Sequence, residues 1–105
     1  MPDAIQLDTR DNVATLVHDL STRGQAIRLS DDAPPAAHAH GPVPFGHKVA
    51  LQAIARGAAV IKYGQVIGHA SHDIAAGEHV HSHNLESDRA RGDRPAGEAA
   101  ATEAA

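Results

Sequence analysis

Three histidines alternate with other residues in the stretch from His79 to His83 (H-V-H-S-H), and this spacing is the sharpest chemical signal in the chain. Residues two apart share one face of a β-strand, so the three imidazoles are predicted to project together while Val80 enters the core. Neighbours on that face lie about 6.6 Å apart, and imidazole nitrogens bind metals at about 2.1 Å. One metal ion could therefore take two adjacent members, such as His81 and His83, with His79 turned to the rim. The alternatives are a solvated polar face on an edge strand and a contact with another subunit.

The histidine stretch ends one copy of a short repeat. Residues Ile54 to Val60 recur twenty positions later as Ile74 to Val80, and a weaker copy runs from Leu20 to Ile27 with one residue inserted. Each copy predicts a short helical turn, a glycine that bends the backbone, and the start of a β-strand. After Val60 the chain continues with Lys62 and Tyr63, in the places that Ser82 and His83 occupy after Val80. If the polar residues after Val60 and those after Val80 meet in the fold, they would suit the binding of an acid, whose carboxylate needs a positive partner. They would also suit proton transfer near neutral pH.

Composition limits the classes of function. The chain has 105 residues, a net charge of −4 with neutral histidines, no cysteine, one phenylalanine and one tyrosine. These values indicate one small domain with an aliphatic core and no thiolate metal site. The lack of a basic stripe and of aromatic platforms argues against nucleic-acid binding. No apolar run or signal pattern predicts a membrane span or export, so we expect no membrane partner and a cytoplasmic location.

Periodicity predicts a mainly β domain over residues 1–87. The predicted strands are 4–8, 12–18, 25–29, 44–51, 59–63, 64–70 as a hairpin return, and 78–84. The segment from Ser30 to Pro44 holds four of the six prolines and is predicted to be an exposed loop. Residues 88–105 contain no bulky apolar side chain, so a disordered C-terminal tail is predicted there.

Several of these motifs resemble one known family. Gly46-His47-Lys48, V-I-K-Y-G from Val60 to Gly64, Ile67-Gly68, and D-I-A-A-G-E-H-V-H-S-H-N from Asp73 to Asn84 are similar to the SAF domain of the altronate/galactarate dehydratases. The similarity runs from about Ala4 to Ser87 and implies a small β-clip fold with long bent hairpins. In some family members this domain is fused to a large catalytic domain. In others, such as the two-subunit sulfolactate sulfo-lyases, it is a separate small subunit.

The resemblance also implies a function. Family members remove water from a sugar acid to leave a 2-keto-3-deoxy acid, aided by a divalent metal, with iron(II) first and manganese(II) or zinc(II) as alternatives. The site residues that we predict are His47, Lys62 and Tyr63 for catalysis, Lys48 and Asn84 for substrate binding, and His81 and His83 for the metal. The small core leaves little room for a pocket, so we expect a large dehydratase subunit to complete the site in a hetero-oligomer. A homo-oligomer of this chain alone is the alternative.

Two questions stay open at the level of sequence. The chain stops where fused relatives continue, and its extra alanine-rich tail favours a natural short subunit over a fragment. The loop from Asp31 to Pro42 is also longer than in the family, which could alter substrate choice or a subunit interface. The alternative functions are a non-catalytic SAF module that binds carbohydrate or serves assembly, and a subunit of a sulfolactate sulfo-lyase.

Overall fold

The computed structural model describes residues 1–87, and short antiparallel strands dominate that part of the chain. The strands are β1 (Ala4–Ile5), β2 (Val13–Leu16), β3 (Ala26–Ile27), β4 (Ala37–His38), β5 (Lys48–Ala50), β6 (Ala59–Lys62), β7 (Gln65–Ala70), β8 (His79–Val80) and β9 (Leu85–Ser87). They form three sheets in the orders β1-β2-β5-β8, β3-β4 and β6-β7-β9. The predicted mainly β fold is therefore confirmed. The predicted tail, residues 88–105, lies outside the described residues.

The two best copies of the repeat face each other across the fold. The Ile54 N–H donates to the Ile74 carbonyl and the Ile74 N–H donates to the Ile54 carbonyl, both at 2.8 Å. Gly57 and Gly77 take the same left-handed conformation, with φ of 86° and 89°. Each glycine is followed by a strand, β6 or β8. The turns themselves are hydrogen-bonded bends, and no helix forms among residues 1–87, so the predicted helical turns are single β-turns.

A fourth copy of the turn appears in the structure and completes a second facing pair. Leu20, which begins the weaker copy, forms an antiparallel bridge with Val43. Val43, Gly46 and Val49 repeat the spacing of Ile74, Gly77 and Val80, and Gly46 also has a positive φ of 84°. The domain is thus built from two pairs of bridged turns, 20/43 and 54/74. The sequence analysis did not predict this copy, because Pro42 and Pro44, on either side of Val43, indicated a loop.

Each pair of turns has its own apolar core. The first cluster contains Ala4, Ala14, Leu16, Leu20, Ile27, Ala37, Ala39, Val43 and Val49. The second contains Val13, Ala50, Ile54, Val60, Ala70, Ile74 and Val80. Both are aliphatic, as the composition predicts. Among residues 1–87, no helix is long and apolar enough to cross a membrane.

The prediction of an exposed loop from Ser30 to Pro44 is wrong for its second half. Strand β4 lies within it and pairs with β3, so that Ala26 faces His38 and Ile27 faces Ala37. Ala37, Ala39 and Val43 are buried in the first core cluster. Prolines remove backbone donors only at their own positions, and the residues between and after them keep donors for a strand and a turn.

Gly77 and Gly57 offer a matched test of this architecture. A Cβ at Gly77 would overlap the carbonyl oxygen of His38, whereas a Cβ at Gly57 has no heavy atom within 4 Å. Gly57→Ala should therefore lower the free energy of unfolding by about 1–2 kcal/mol, because an alanine in the left-handed conformation is strained. Gly77→Ala should lower the free energy of unfolding by roughly 3 kcal/mol or more, because the backbone at His38 must also move. Urea unfolding of both variants measures the difference, and equal losses of stability would contradict this packing.

Candidate metal centre

The pairing of β5 with β8 brings two histidine-bearing segments together. Val49 lies opposite His79 and Lys48 lies opposite Val80 in an antiparallel register. Continuing that register by one residue sets His47, just before β5, opposite His81, just after β8. The G-H-K and H-V-H motifs, whose first histidines are 32 positions apart in the sequence, therefore meet at one end of a strand pair.

Three imidazoles form a compact cluster at this end. Nδ1 of His47 lies 2.9 Å from Nε2 of His79, so one nitrogen donates a hydrogen bond to the other. The rings of His47 and His81 stack with centroids 4.1 Å apart, and those of His79 and His81 are 5.6 Å apart. One nitrogen of each ring lies within 4.8 Å of the others. His47 and His79 are half-buried while His81 is exposed, so the cluster opens to solvent on one side.

The cluster fits a divalent transition metal. Tetrahedral coordination at about 2.1 Å needs ligand nitrogens about 3.4 Å apart, which lies between the 2.9 Å that separates His47 from His79 and the 4.8 Å limit of the group. Binding would also replace the hydrogen bond between His47 and His79, which requires both nitrogens to be unprotonated. Three imidazoles suit zinc, iron, copper or nickel, and they leave one position for a water or a substrate oxygen.

The surroundings lower the pKa of two of these imidazoles, His79 and His81. Partial burial lowers the pKa of His79 to about 4, helped by the neighbouring charges of His47, His83, His81 and Lys48. Desolvation, with His47, Lys48 and His83, also lowers the pKa of His81. Neutral imidazole is the form that binds a metal, so no protons need to be removed from these two rings near pH 7.

The structure places His79 at the centre of the cluster, so the prediction that it turns to the rim is wrong. Strand β8 ends at Val80, and a turn replaces the predicted continuation to Asn84. Strict alternation of the three imidazoles is therefore lost. His83 lies on the exposed turn, its ring 5.3 Å from that of His79, and is not among the three grouped nitrogens. The predicted metal roles of His81 and His83 stay predictions, but the geometry groups His81 with His47 and His79.

Asn84 fixes the turn that carries His81. Its side chain is buried, its Nδ2 donates to the His79 carbonyl and its Oδ1 accepts from the His81 N–H, both at 2.9 Å. The amide thus holds the backbone on either side of Val80. The structure gives Asn84 a positioning role, and its predicted contact with substrate stays a prediction.

Of the predicted basic and phenolic residues, Lys48 acts electrostatically on the cluster, and Lys62 acts on Lys48. Lys48 is half-buried, and its charge reaches His79 and His81. Desolvation and then the like charge of Lys62 lower the pKa of Lys48. The Nζ of Lys62 lies 5.0 Å from the ring centre of Tyr63, which is exposed and adopts a positive φ of 53°.

Asp11, which sequence reasoning missed, fixes the hairpin that carries Lys62 and Tyr63. Its buried carboxylate accepts the N–H groups of Leu7, Asp8 and Gly64 at 3.3, 3.2 and 2.8 Å. Burial raises the pKa of Asp11, but the backbone donors, Tyr63 among them, outweigh it and hold the pKa below its usual value. Asp11 is not among the site residues that the sequence analysis predicts.

A cleft of about 540 Å³ opens beside His79. Its wall is mostly apolar and consists of Asp19, Leu20, Pro42, Val43, Pro44 and His79. One residue of the histidine cluster thus borders a space large enough for a small ligand or for a side chain of another protein.

The low pKa of His79 predicts a pH effect on the metal-free chain. Between pH 6.5 and about 4 the unfolded state binds a proton at His79 that the folded state does not. The free energy of unfolding should therefore fall as the pH falls through this window, by about 1–2 kcal/mol once solvent screening is allowed for. His79→Gln should flatten the curve, measured by urea unfolding at several pH values. His72→Gln, an exposed histidine outside the cluster, should keep the wild-type slope, and an equal change in both variants would contradict the assignment.

Comparisons with known proteins agree with the motifs. The family model of the altronate/galactarate dehydratase SAF domain matches residues 2–88. Altronate dehydratase of Bacillus subtilis (strain 168) is 38% identical over 90 residues, which cover 80% of this chain and 16% of that relative. Altronate dehydratase of Escherichia coli (strain K12) is 45% identical over 86 residues, 76% of this chain and 15% of that relative.

A smaller relative matches over nearly its whole length. The alpha subunit of (2R)-sulfolactate sulfo-lyase of Paracoccus pantotrophus is 43% identical over 63 residues, which cover 60% of this chain and 94% of that subunit. The chain spans less than a fifth of the altronate dehydratases that it matches. Since the family model covers most of the sequence, the chain belongs to the family of altronate/galactarate dehydratase SAF domains.

Proposed function

We propose that this chain acts as the small subunit of a two-component hydro-lyase that removes water from a sugar acid of the altronate or galactarate type. In this proposal it contributes a three-histidine metal site, and a large catalytic subunit completes the active site. The observation that carries the proposal is the cluster of His47, His79 and His81, whose ligand nitrogens lie within 4.8 Å of one another.

The metal is proposed to be iron(II), with manganese(II) or zinc(II) as alternatives. When bound, such an ion supplies Lewis-acid stabilisation of negative charge on substrate oxygens. The exposed side of the cluster, at His81, is where a substrate oxygen could reach it. Asn84 positions these residues through its hydrogen bonds to the His81 N–H and the His79 carbonyl.

The remaining residues suit the binding of an acid and the movement of protons. Loss of water requires a base to remove the proton alpha to the carboxylate and an acid to give the departing hydroxide a proton. We assign the base to the large subunit. In this chain, Lys48 would attract the carboxylate, while Lys62 and Tyr63 would hold a proton near the leaving hydroxyl. His83, on the turn next to His79, would border the open side.

Two observations support a partner subunit. The cluster and the neighbouring cleft are open, so this chain alone would leave a bound substrate exposed to water. In addition, a relative named as a subunit is covered over 94% of its length, whereas the chain covers only 15–16% of the altronate dehydratases. A domain of this kind therefore occurs both in a large chain and as a small subunit.

The same coverage favours a second candidate function. The nearly complete match to a sulfolactate sulfo-lyase alpha subunit supports a carbon–sulfur lyase, in which sulfite would leave instead of water. Both substrates are hydroxylated acids with a carboxylate next to the reacting carbon. The choice between them depends on the large subunit, so it has to be decided by assay.

Metal binding by the isolated chain tests the site directly. Calorimetric titration with zinc(II) or manganese(II) should show one site per chain. His79→Ala should weaken zinc binding by at least about tenfold, because one of three ligands is lost. The matched controls are His72→Ala, outside the cluster, and His83→Ala, which should change affinity by less than about threefold. Larger losses from His83→Ala than from His79→Ala would support the ligand pair predicted from sequence and contradict the cluster.

Reconstitution tests the assignment to a two-component enzyme. The chain is combined with its large dehydratase subunit, and turnover of altronate, galactarate and sulfolactate is measured with and without it. We expect activity on one of these acids only when both chains are present, and at least about a hundredfold loss of kcat with His47→Ala or His79→Ala. Activity of the large subunit that does not depend on this chain would refute the catalytic role. Loss of assembly alone in these variants would support a non-catalytic module.

A further inference from the structure

We propose that Asp19 is a positioning residue of the histidine cluster, because its carboxylate holds the turn that presents His47 to the other two imidazoles. Asp19 acts here through the backbone of that turn and is not a ligand of the metal. The proposal deepens the proposed function, since it concerns the same three-histidine site.

The turn that leads into His47 is bonded to Asp19. The His47 N–H donates to the Pro44 carbonyl at 3.1 Å, which closes a β-turn that ends at the histidine. Within that turn, the Phe45 N–H donates to the Oδ1 of Asp19 at 2.7 Å. A carboxylate forms short, strong hydrogen bonds with backbone N–H groups. Asp19 therefore fixes the backbone from which the imidazole of His47 extends.

The backbone of Asp19 is itself anchored. The next residue, Leu20, is joined to Val43 by two hydrogen bonds, of 2.8 and 2.9 Å. The carbonyl of Asp19 accepts a hydrogen bond from Nδ1 of His18 at 2.9 Å, and Nε2 of His18 lies 2.6 Å from the carboxylate of Asp3. The carboxylate of Asp19 thus extends from a fixed point and can restrain the turn before His47.

Asp19 also lies close to a second member of the cluster. Asp19 and His79 line the same cleft. The Nε2 of His79 is 2.9 Å from the Nδ1 of His47, so the two imidazoles are in contact across two segments of chain. A shift of the turn that Asp19 holds would change the spacing of the ligand nitrogens, and metal affinity depends on that spacing.

The other pair of bridged turns contains the same arrangement at a place away from the cluster. The Oδ1 of Asp73 accepts the Arg56 N–H at 2.9 Å, as Asp19 accepts that of Phe45. The turn that Asp73 holds ends at Ala58. The bond between a carboxylate and a turn is therefore common to both pairs, but the turn bonded to Asp19 ends at a candidate metal ligand. Asp73 is the matched control for Asp19.

Calorimetric titration of the full chain with zinc(II) tests the positioning role. Asp19→Ala should weaken zinc binding by at least about fivefold, because His47 is no longer held in place. Asp73→Ala loses the equivalent bond, so it should lower the melting temperature about as much as Asp19→Ala and leave the zinc affinity unchanged. Wild-type affinity in Asp19→Ala, or equal losses of affinity in the two alanine variants, would overturn the proposal.

Asp19→Asn distinguishes the hydrogen bond from the charge, and it serves as the second variant if Asp19→Ala does not fold. The amide oxygen of asparagine can still accept the Phe45 N–H, so the zinc affinity should stay within about twofold of the wild type. A loss of fivefold or more in Asp19→Asn would mean that the negative charge acts on the metal directly, and it would contradict positioning through the turn.

Proton NMR of the metal-free chain tests the positioning without a metal. In the wild type, the stacked rings of His47 and His81 should give nuclear Overhauser contacts. Asp19→Ala should reduce these contacts by more than half, and Asp73→Ala should keep them. The contacts between His79 and His81, which do not involve the turn, should persist in both variants. Unchanged contacts of His47 in Asp19→Ala would overturn the proposal.

The two measurements separate this proposal from the proposed function. A wild-type chain that binds no zinc would refute the metal site. The expected loss of His47 contacts in Asp19→Ala would still support the positioning of the imidazole by Asp19. Conversely, zinc binding by the wild type together with an unchanged affinity in Asp19→Ala would support the metal site and refute the role of Asp19.

Discussion

Antiparallel pairing of β5 with β8 is the constraint on which the candidate site depends. Each strand is short, and each follows a glycine turn that sets its direction, so the register between Val49 and His79 is fixed by the turns. That register alone places His47 against His81. The same two strands bury Val49 and Val80 in different core clusters. The apolar residues that stabilise the fold and the imidazoles that form the site are therefore positioned by one set of backbone hydrogen bonds.

The candidate site combines neutral imidazoles with a nearby positive charge. Partial burial keeps His79 neutral near pH 7, and the positive charge of Lys48, which has no carboxylate partner in the described part of the chain, acts in the same direction. Neutral imidazoles bind a divalent cation, and uncompensated lysines attract an anion. The three imidazoles are thus suited to a divalent metal.

Much of the local structure could be predicted from the sequence. The glycine–valine repeat gave the turns and the strands after them, because positive φ at a glycine and burial of the next apolar residue are local properties. The family was also recognisable, since G-H-K, V-I-K-Y-G and H-V-H-S-H-N are specific strings. The turn at Val43 was missed because flanking prolines have the composition of a loop.

The membership of the cluster could not be predicted, because it depends on long-range pairing. Alternation along one strand groups His81 with His83, whereas the structure groups His81 with His47 across two strands. The strand ends at Val80 because the Asn84 side chain bonds the backbone at His79 and His81 and bends the chain into a turn. This role of Asn84 becomes visible only when its side chain and the backbone groups of His79 and His81 have been located in the structure.

A crystal structure of the chain soaked with zinc(II), with anomalous diffraction at the zinc edge, tests the central claim most directly. We predict one strong anomalous peak bound by nitrogens of His47, His79 and His81, each at about 2.1 Å. A peak held by His81 and His83, or no peak near His79, would contradict the three-histidine centre.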